Sequence, residues 1–346
     1  MSRGLLRIKC LQRDRICLTK HQSTFNSIFN EIPLVIPYIS NFFANFAHLR
    51  TLLRREEQKQ IDQYILSRYS FSGHESFQCK SLWLKKGYDY LLDGNSFTDV
   101  DAVAKLGVGK NMVASIRFWL KAFGLTRTDE LQPIAAYIFD SNKGVDPYSE
   151  DITTLWLLHF LIVSSEVASL YYILFMDFQR EKKEFTKAEL QSFIKRKCSV
   201  PEQKNVYNEN TVKKDIGVLL KNYIMPSDLK TIEDFSAILI NLGMIVVKSN
   251  DTYSFKITSV DEIVPEIILF ALIRMKGSDR TVSFDVLQKL SLIFGLSMSS
   301  LIELIRRLES IFPETLIFTD NSGIKNVQFL IDMDETEALD HYYKAI

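Results

Sequence analysis

The sequence predicts a mainly α-helical chain with small β-hairpins, organised as tandem winged helix-turn-helix-like units. Three observations carry this reading. Apolar residues recur at helical spacing over several segments. Capping signals and glycines cut those segments into short helices. A loose pattern of helix, turn, helix and extended pair occurs three times along the chain.

The first copy starts at Thr98, where Thr98-x-x-Asp101 reads as a capping box. Val103 and Leu106 mark its buried face, and Gly107 and Gly109 allow a tight break. A second helix is expected from Lys110 to about Phe123, with Gly124 as its stop. Its apolar stripe is Met112, Ile116, Leu120 and Phe123, and residues 125–134 form a small wing. The second copy opens on the capping box Thr186-x-x-Glu189, with Leu190, Phe193 and Ile194 as core. Its second helix runs from Asn210 to Tyr223 on Val212, Ile216, Leu219, Leu220 and Tyr223. Extended segments 245–247 and 253–257 then flank Ser249-Asn250-Asp251 as a hairpin. The third copy runs from Ser283 to Phe294, breaks at Gly295, and resumes from Ser297 to Ile311. Segments 316–319 and 327–331 form its hairpin around Asp320-Asn321-Ser322-Gly323.

Composition sets the frame. The 346 residues are 47% hydrophobic and 24% charged, with formal net charge zero. Such a chain buries large cores and holds two or three domains at roughly 150 residues each. Attraction to a polyanion must come from local patches. Four scattered cysteines and five histidines without a metal-ligand spacing exclude a disulfide framework and a zinc site from expectation. No metal ligand set is therefore assigned. Residues 152–165 are uncharged, but 14 residues fall short of a membrane span of about 20, so buried core helices are expected there. This fits a cytoplasmic protein without membrane contact.

The expected organisation is a basic, variable extension at 1–68 and a first unit at 69–145. A helical core with a second unit fills 146–258, and a third unit fills 259–346. Residues 1–30 carry Arg3, Arg7, Lys9, Arg13, Arg15 and Lys20 against the single acid Asp14. That composition suits a basic arm, a transit peptide or upstream sequence. Pro33 and Pro37 interrupt the apolar stretch 32–46, and residues 51–68 read as a polar helix.

Charge separates the three units. Residues 102–127 hold Lys105, Lys110, Arg117, Lys121 and Arg127 and no acid. Lys110, Ala114, Arg117 and Lys121 are spaced 4, 3 and 4, so they share the helix face opposite the apolar stripe. A helix that packs on its own domain with one side and meets DNA with the other needs this division. Lys105, Lys110 and Lys121 suit phosphates. Arg117 suits a guanine edge, and Asn111 a base or a phosphate. The alternative is a solvated face on a protein-binding unit. In the second unit, Glu209 and Asp215 dilute Lys213, Lys214 and Lys221, which either add phosphate contacts or form a plain solvated face, with the balance slightly towards the latter. The third unit balances Arg306 and Arg307 against Glu303 and Glu309, so it is expected to pack on protein.

The densest polar cluster is Phe71-Ser72-Gly73-His74-Glu75-Ser76-Phe77. His74 and Glu75 are the candidate acid–base pair, although neighbours in an extended strand face opposite ways. Ser72 and Glu75 also fit a capping box for a helix starting near Gly73. Asp146, Glu150 and Asp151 are either magnesium-type ligands or, more simply, acids at a helix N-terminus. His159 sits in an apolar run and reads as a satisfied core histidine. Gly107-Val108-Gly109-Lys110 lacks P-loop spacing.

Several of these segments together resemble a known family. They are Phe71-Ser72-Gly73-His74-Glu75, Trp83-Leu84-Lys85-Lys86-Gly87-Tyr88, and Leu106-Gly107-Val108-Gly109-Lys110-Asn111-Met112-Val113. Ile116-Arg117-Phe118-Trp119-Leu120, Asp146-Pro147-Tyr148 and Leu155-Trp156-Leu157-Leu158-His159 complete the set. In order and spacing they resemble the domain-of-unknown-function 4007 family of prokaryotes, over residues 69–335. Gln78-Cys79 departs from that pattern, in which proline follows the His-Glu motif. The resemblance implies a place beside sulfur-transfer and reductase-like proteins of DNA phosphorothioation or phage-defence systems. One branch is the nicking component of single-strand phosphorothioation, so it also implies a nicking endonuclease, with a divalent metal if so. No nicking residue is carried over. A transcription regulator and a non-catalytic protein-binding scaffold remain as alternatives.

Overall fold

Trp83, Leu84, Tyr88 and Tyr90 recur along helix α1 (Trp83–Leu92) and are buried against the helices that follow. Helix α2 (Ala102–Leu106) is a short turn buried through Ala102 and Leu106. Gly107, in the left-handed region, ends it. Helix α3 (Lys110–Ala122) then crosses α1 with Val113, Ile116, Trp119 and Leu120 inside. The chain reverses in the hairpin β1 (Thr126–Arg127) and β2 (Glu130–Leu131). Its two-residue turn, Thr128-Asp129, has both φ values positive, as a primed hairpin turn requires. Helix α4 (Pro133–Phe139), with proline in its first turn, closes this unit.

The computed structural model describes residues 68–345 except 166, 204, 227–236, 250 and 322–323. The expected extension at 1–68, including the proline-interrupted stretch and the polar helix, therefore lies almost wholly outside the described residues. Within the described part, two details of the first unit differ from expectation. The Thr98–Asp101 capping box does not form: Asp99 instead accepts the Ser96 N–H at 2.8 Å in a turn that leads into α2. Val103 stands 43% exposed, because the short α2 starts late and turns Ala102 and Leu106 inward instead.

Helix α5 (Ile152–Ser164) is apolar on every side and almost wholly buried. It bends by 100° into helix α6 (Ser169–Glu181), whose centre Ile173–Phe178 is π-helical. Among the described residues no single helix is long and apolar enough to cross a membrane. Strand β3 (Glu184–Thr186) leads through the formed Thr186–Glu189 capping box into helix α7 (Lys187–Lys197). Helix α8 (Glu209–Tyr223) starts at Asn208, whose side chain caps Thr211, and buries Val212, Ile216, Leu219, Leu220 and Tyr223. Strands β4 (Ile245–Ser249) and β5 (Thr252–Phe255) return beside β3 in the antiparallel order β3-β5-β4.

The last unit repeats this plan. After helix α9 (Pro265–Lys276) come β6 (Thr281–Val282), α10 (Phe284–Ile293) and α11 (Met298–Ile311). Strands β7 (Leu316–Asn321) and β8 (Ile324–Phe329) follow, and the sheet order is β6-β8-β7. In both sheets the strand ahead of the helix pair joins the hairpin behind it. The chain is thus mainly helical with small antiparallel sheets.

One hydrophobic core runs through all of these elements. His159, on α5, sits at its centre. Its Nδ1 accepts the Tyr223 hydroxyl at 2.8 Å, and its Nε2–H donates to the Ile293 carbonyl at 2.7 Å. Burial pushes its pKa down to about 4, so it is neutral. This is the satisfied core histidine that the apolar run predicts. Helix α12 (Glu335–Tyr343) straps the far ends together: Asp340 accepts Tyr137 of α4, Tyr343 meets Thr154 of α5, and Glu335 pairs with Arg274 of α9.

Candidate nucleic-acid interface

The exposed side of α3 carries Lys110, Asn111, Ala114, Arg117 and Lys121, and its opposite side is core. The sequence spacing therefore gives the helix face observed. Lys110 and Lys121 have no ion-pair partner among the described residues. Arg117 is different. Asp129, at the hairpin tip, accepts its Nε–H at 2.8 Å and its second guanidinium nitrogen at 2.5 Å. That two-point contact holds the guanidinium flat against β1–β2 and pushes its pKa up. Lys105 is set apart from the face. It bonds Asn95 at 2.8 Å and pairs with Asp101 at 3.0 Å, which raises its pKa.

Behind α3 lies the loop that holds the His-Glu motif. No helix starts at Gly73; residues 71–79 are irregular, and Ser72, Gly73, Glu75 and Ser76 all have positive φ. Three of these are not glycine, so the loop is strained by on the order of 1 kcal/mol or more at each. Gly73 cannot carry a side chain, because a Cβ there would stand 2.5 Å from the Phe118 ring of α3.

What over-determines the loop is a polar staple between α3 and α8. Asp215, only 6% exposed, accepts the Ser72 N–H at 2.7 Å on one oxygen and His74 Nε2–H at 2.9 Å on the other. His74 Nδ1 accepts the Ser76 N–H at 3.1 Å, which assigns the proton to Nε2. The imidazole stacks on Trp119 and meets Phe118 edge-on. Ser115 donates to the His74 carbonyl at 3.1 Å, and Asn222 of α8 accepts the Cys79 N–H at 3.0 Å. Both ring nitrogens of His74 are engaged. Glu75 points away into solvent, so the two candidate acid–base residues do not converge. A small cleft beside them, lined by Ser70, Ser72, His74, Phe118, Tyr171 and Asp215, has room for about one water.

The acids at 146–151 are spent on the start of α5. Asp146 accepts the N–H groups of Glu150 and Asp151, each at 3.0 Å. Asp151 caps Thr153 at 2.6 Å. Among the described residues no three His, Cys, Asp or Glu side chains are grouped as metal ligands.

Sequence reasoning missed the role of Asp215. Counted along the chain, it dilutes the lysines around it; in the fold it faces inward. Its position beside Ile216 and one turn from Val212 and Leu219, all on the buried side, is the signal that places it there.

These features define a helical protein with repeated helix–helix–hairpin units, a cationic helix face and a buried histidine–aspartate staple behind it. The chain belongs to the DUF4007 family, described as a protein of unknown function, whose model matches residues 71–343. It is similar to the SspB crystal structure and to the magnesium ion-bound SspB crystal structure. Each has a TM-score of 0.69 and 25% identity, and the match covers 81% of this chain and 90% of that one. A comparison with curated proteins returned no match.

Proposed function

We propose that this protein is the duplex-DNA-binding component of a prokaryotic DNA phosphorothioation or phage-defence system. The α3 face carries the reading: exposed Lys110, Arg117 and Lys121 on one side, and packed Ile116, Trp119 and Leu120 on the other. The likeness to SspB, a phosphorothioation-system protein, supports the setting. DNA nicking and sulfur-transfer or reductase-like partners, which the family resemblance implies, are part of the same proposal. The strand orders β3-β5-β4 and β6-β8-β7 support a winged-helix reading of the second and third units. A cytoplasmic site of action belongs to the same proposal.

His74 enters as the clamp of the α3–α8 junction, since its nitrogens hold Ser76 and Asp215. Among the described residues the acids do not group as a magnesium site. One observation favours the scaffold alternative: Asp129 already occupies Arg117.

The test is duplex binding across a salt titration. Each phosphate contact contributes a slope of about −0.9 in log affinity against log salt. Replacing Lys110, Arg117 and Lys121 by alanine together is expected to flatten that slope and weaken binding. Wild-type behaviour in the triple variant overturns the α3 reading. A plasmid-nicking assay with and without magnesium tests the catalytic part, and intact supercoiled plasmid in both arms removes it.

A further inference from the structure

We infer that α8 is a second DNA-backbone contact surface, less neutralised than α3; this rests on the duplex-binding reading above. The outer side of α8 carries Asn210, Lys213, Lys214, Gly217 and Lys221. Residues 210, 214, 217 and 221 are spaced 4, 3 and 4, as are the residues of the α3 face. All three lysines are exposed, and none has an ion-pair partner among the described residues. Of the two acids in the helix, Asp215 is folded away onto Ser72 and His74, and Glu209 stands exposed in the first turn. What reads as a mixed helix along the sequence exposes, after Glu209 one turn before Lys213, only cationic charges in the fold. On α3, by contrast, the central arginine is paired.

Gly217 is the second observation. It sits in the middle of α8, where glycine costs about 1 kcal/mol relative to alanine. A Cβ placed on it meets nothing within 4 Å, so no packing inside the molecule calls for its absence. A bare backbone at the centre of three lysines suits the close approach of a polyanion's backbone. Duplex DNA is the partner this face fits, because three exposed lysines outweigh the one exposed acid, Glu209, and the face lacks exposed apolar anchors of the kind a protein interface buries. The two helices flank one cleft: Phe118 of α3 and Asp215 and Val218 of α8 line it together. Lys121 follows Phe118 by three residues and Lys214 precedes Val218 by four.

The experiment measures binding of a fluorescein-labelled random-sequence duplex to the full chain by anisotropy, over a salt series. Four proteins are compared: wild type, the α3 triple alanine variant, the α8 variant Lys213→Ala/Lys214→Ala/Lys221→Ala, and Gly217→Glu. The α8 variant is expected to flatten the slope by about 2.7, at 0.9 for each lost contact. Gly217→Glu, which fits the open space and plants an acid there, is expected to weaken binding more than a neutral Gly217→Ala control. Circular dichroism melting of each variant establishes that it is folded. Wild-type affinity and slope in the folded α8 variant, alongside loss in the α3 variant, overturn the inference and leave the duplex reading intact. Salt-independent or absent binding of the wild type overturns the duplex reading itself.

Discussion

Asp215→Asn is nearly isosteric, yet the hydrogen-bond pattern makes it costly. Asp215 receives two donors, the Ser72 N–H and His74 Nε2–H, and donates none. Asparagine offers one oxygen and one NH2. Whichever way the amide turns, its NH2 faces a donor. Moving the His74 proton to Nδ1 relieves that contact but sets Nδ1–H against the Ser76 N–H. No arrangement satisfies all three. A buried donor left unsatisfied costs about 1–3 kcal/mol, so Asp215→Asn is expected to destabilise the chain by roughly 2 kcal/mol. Asp215→Ala removes the carboxylate from two donors at once, but the adjoining cleft admits about one water to rehydrate them. Its cost is therefore expected to be similar, despite the larger chemical change. Urea unfolding followed by circular dichroism and tryptophan fluorescence measures both. An Asp215→Asn protein within about 0.5 kcal/mol of wild type, well inside the predicted loss, refutes the two-donor account of the staple.

Three further outcomes follow from other parts of the fold. His159 has a folded pKa of about 4 against about 6.5 unfolded, so the unfolded chain binds the extra proton between those values. Stability from neutral His159 is complete above about pH 6.5 and falls as pH drops towards 4, by about 3 kcal/mol in all; a His159→Gln protein with the same acid limb contradicts this. Gly73→Ala meets Phe118 at 2.5 Å in a backbone with φ of 104°, and should cost about 2–3 kcal/mol. A melting temperature equal to wild type would show that the loop simply shifts. Asp129→Ala frees Arg117, so it should tighten duplex binding and steepen the salt slope by about one contact, whereas unchanged binding means that Arg117 does not face DNA.

The parts of the fold legible in the sequence are those fixed by local rules. The Thr186–Glu189 capping box, the α3 stripe through Ile116 and Leu120, the hairpins after α8 and α11, and neutral His159 all follow from spacing and near neighbours. Strands β3 and β6 were not legible. Each has only two or three residues and exists because a hairpin many residues later supplies its partner. Helix α12 also escaped, since tertiary anchors hold it: Asp340 on Tyr137 and Glu335 on Arg274. The capping box read at Thr98 failed for a related reason. Asp99 closes a turn on Ser96 first, and the helix starts only at Ala102.

The candidate site shows the same limit more sharply, because charge was counted along the chain while its effect is set in space. Residues 102–127 contain no acid, yet Arg117 is neutralised by Asp129, which a two-residue turn folds back onto α3. Residues 209–221 contain two acids, yet Asp215 is withdrawn to the core side and leaves only Glu209, at the helix start, exposed beside the lysines. A hairpin adds an acid to one face, and helix periodicity removes one from the other. Ranking the two helices by local composition puts α3 first; ranking them by exposed, unpaired cations puts three on α8 against Lys110 and Lys121 on α3. The same aspartate that clears the α8 face also holds the strained 71–79 loop against α3 through His74. The inward turn of Asp215 thus serves both the conformation of the His-Glu motif and the cationic surplus on the outer side of α8.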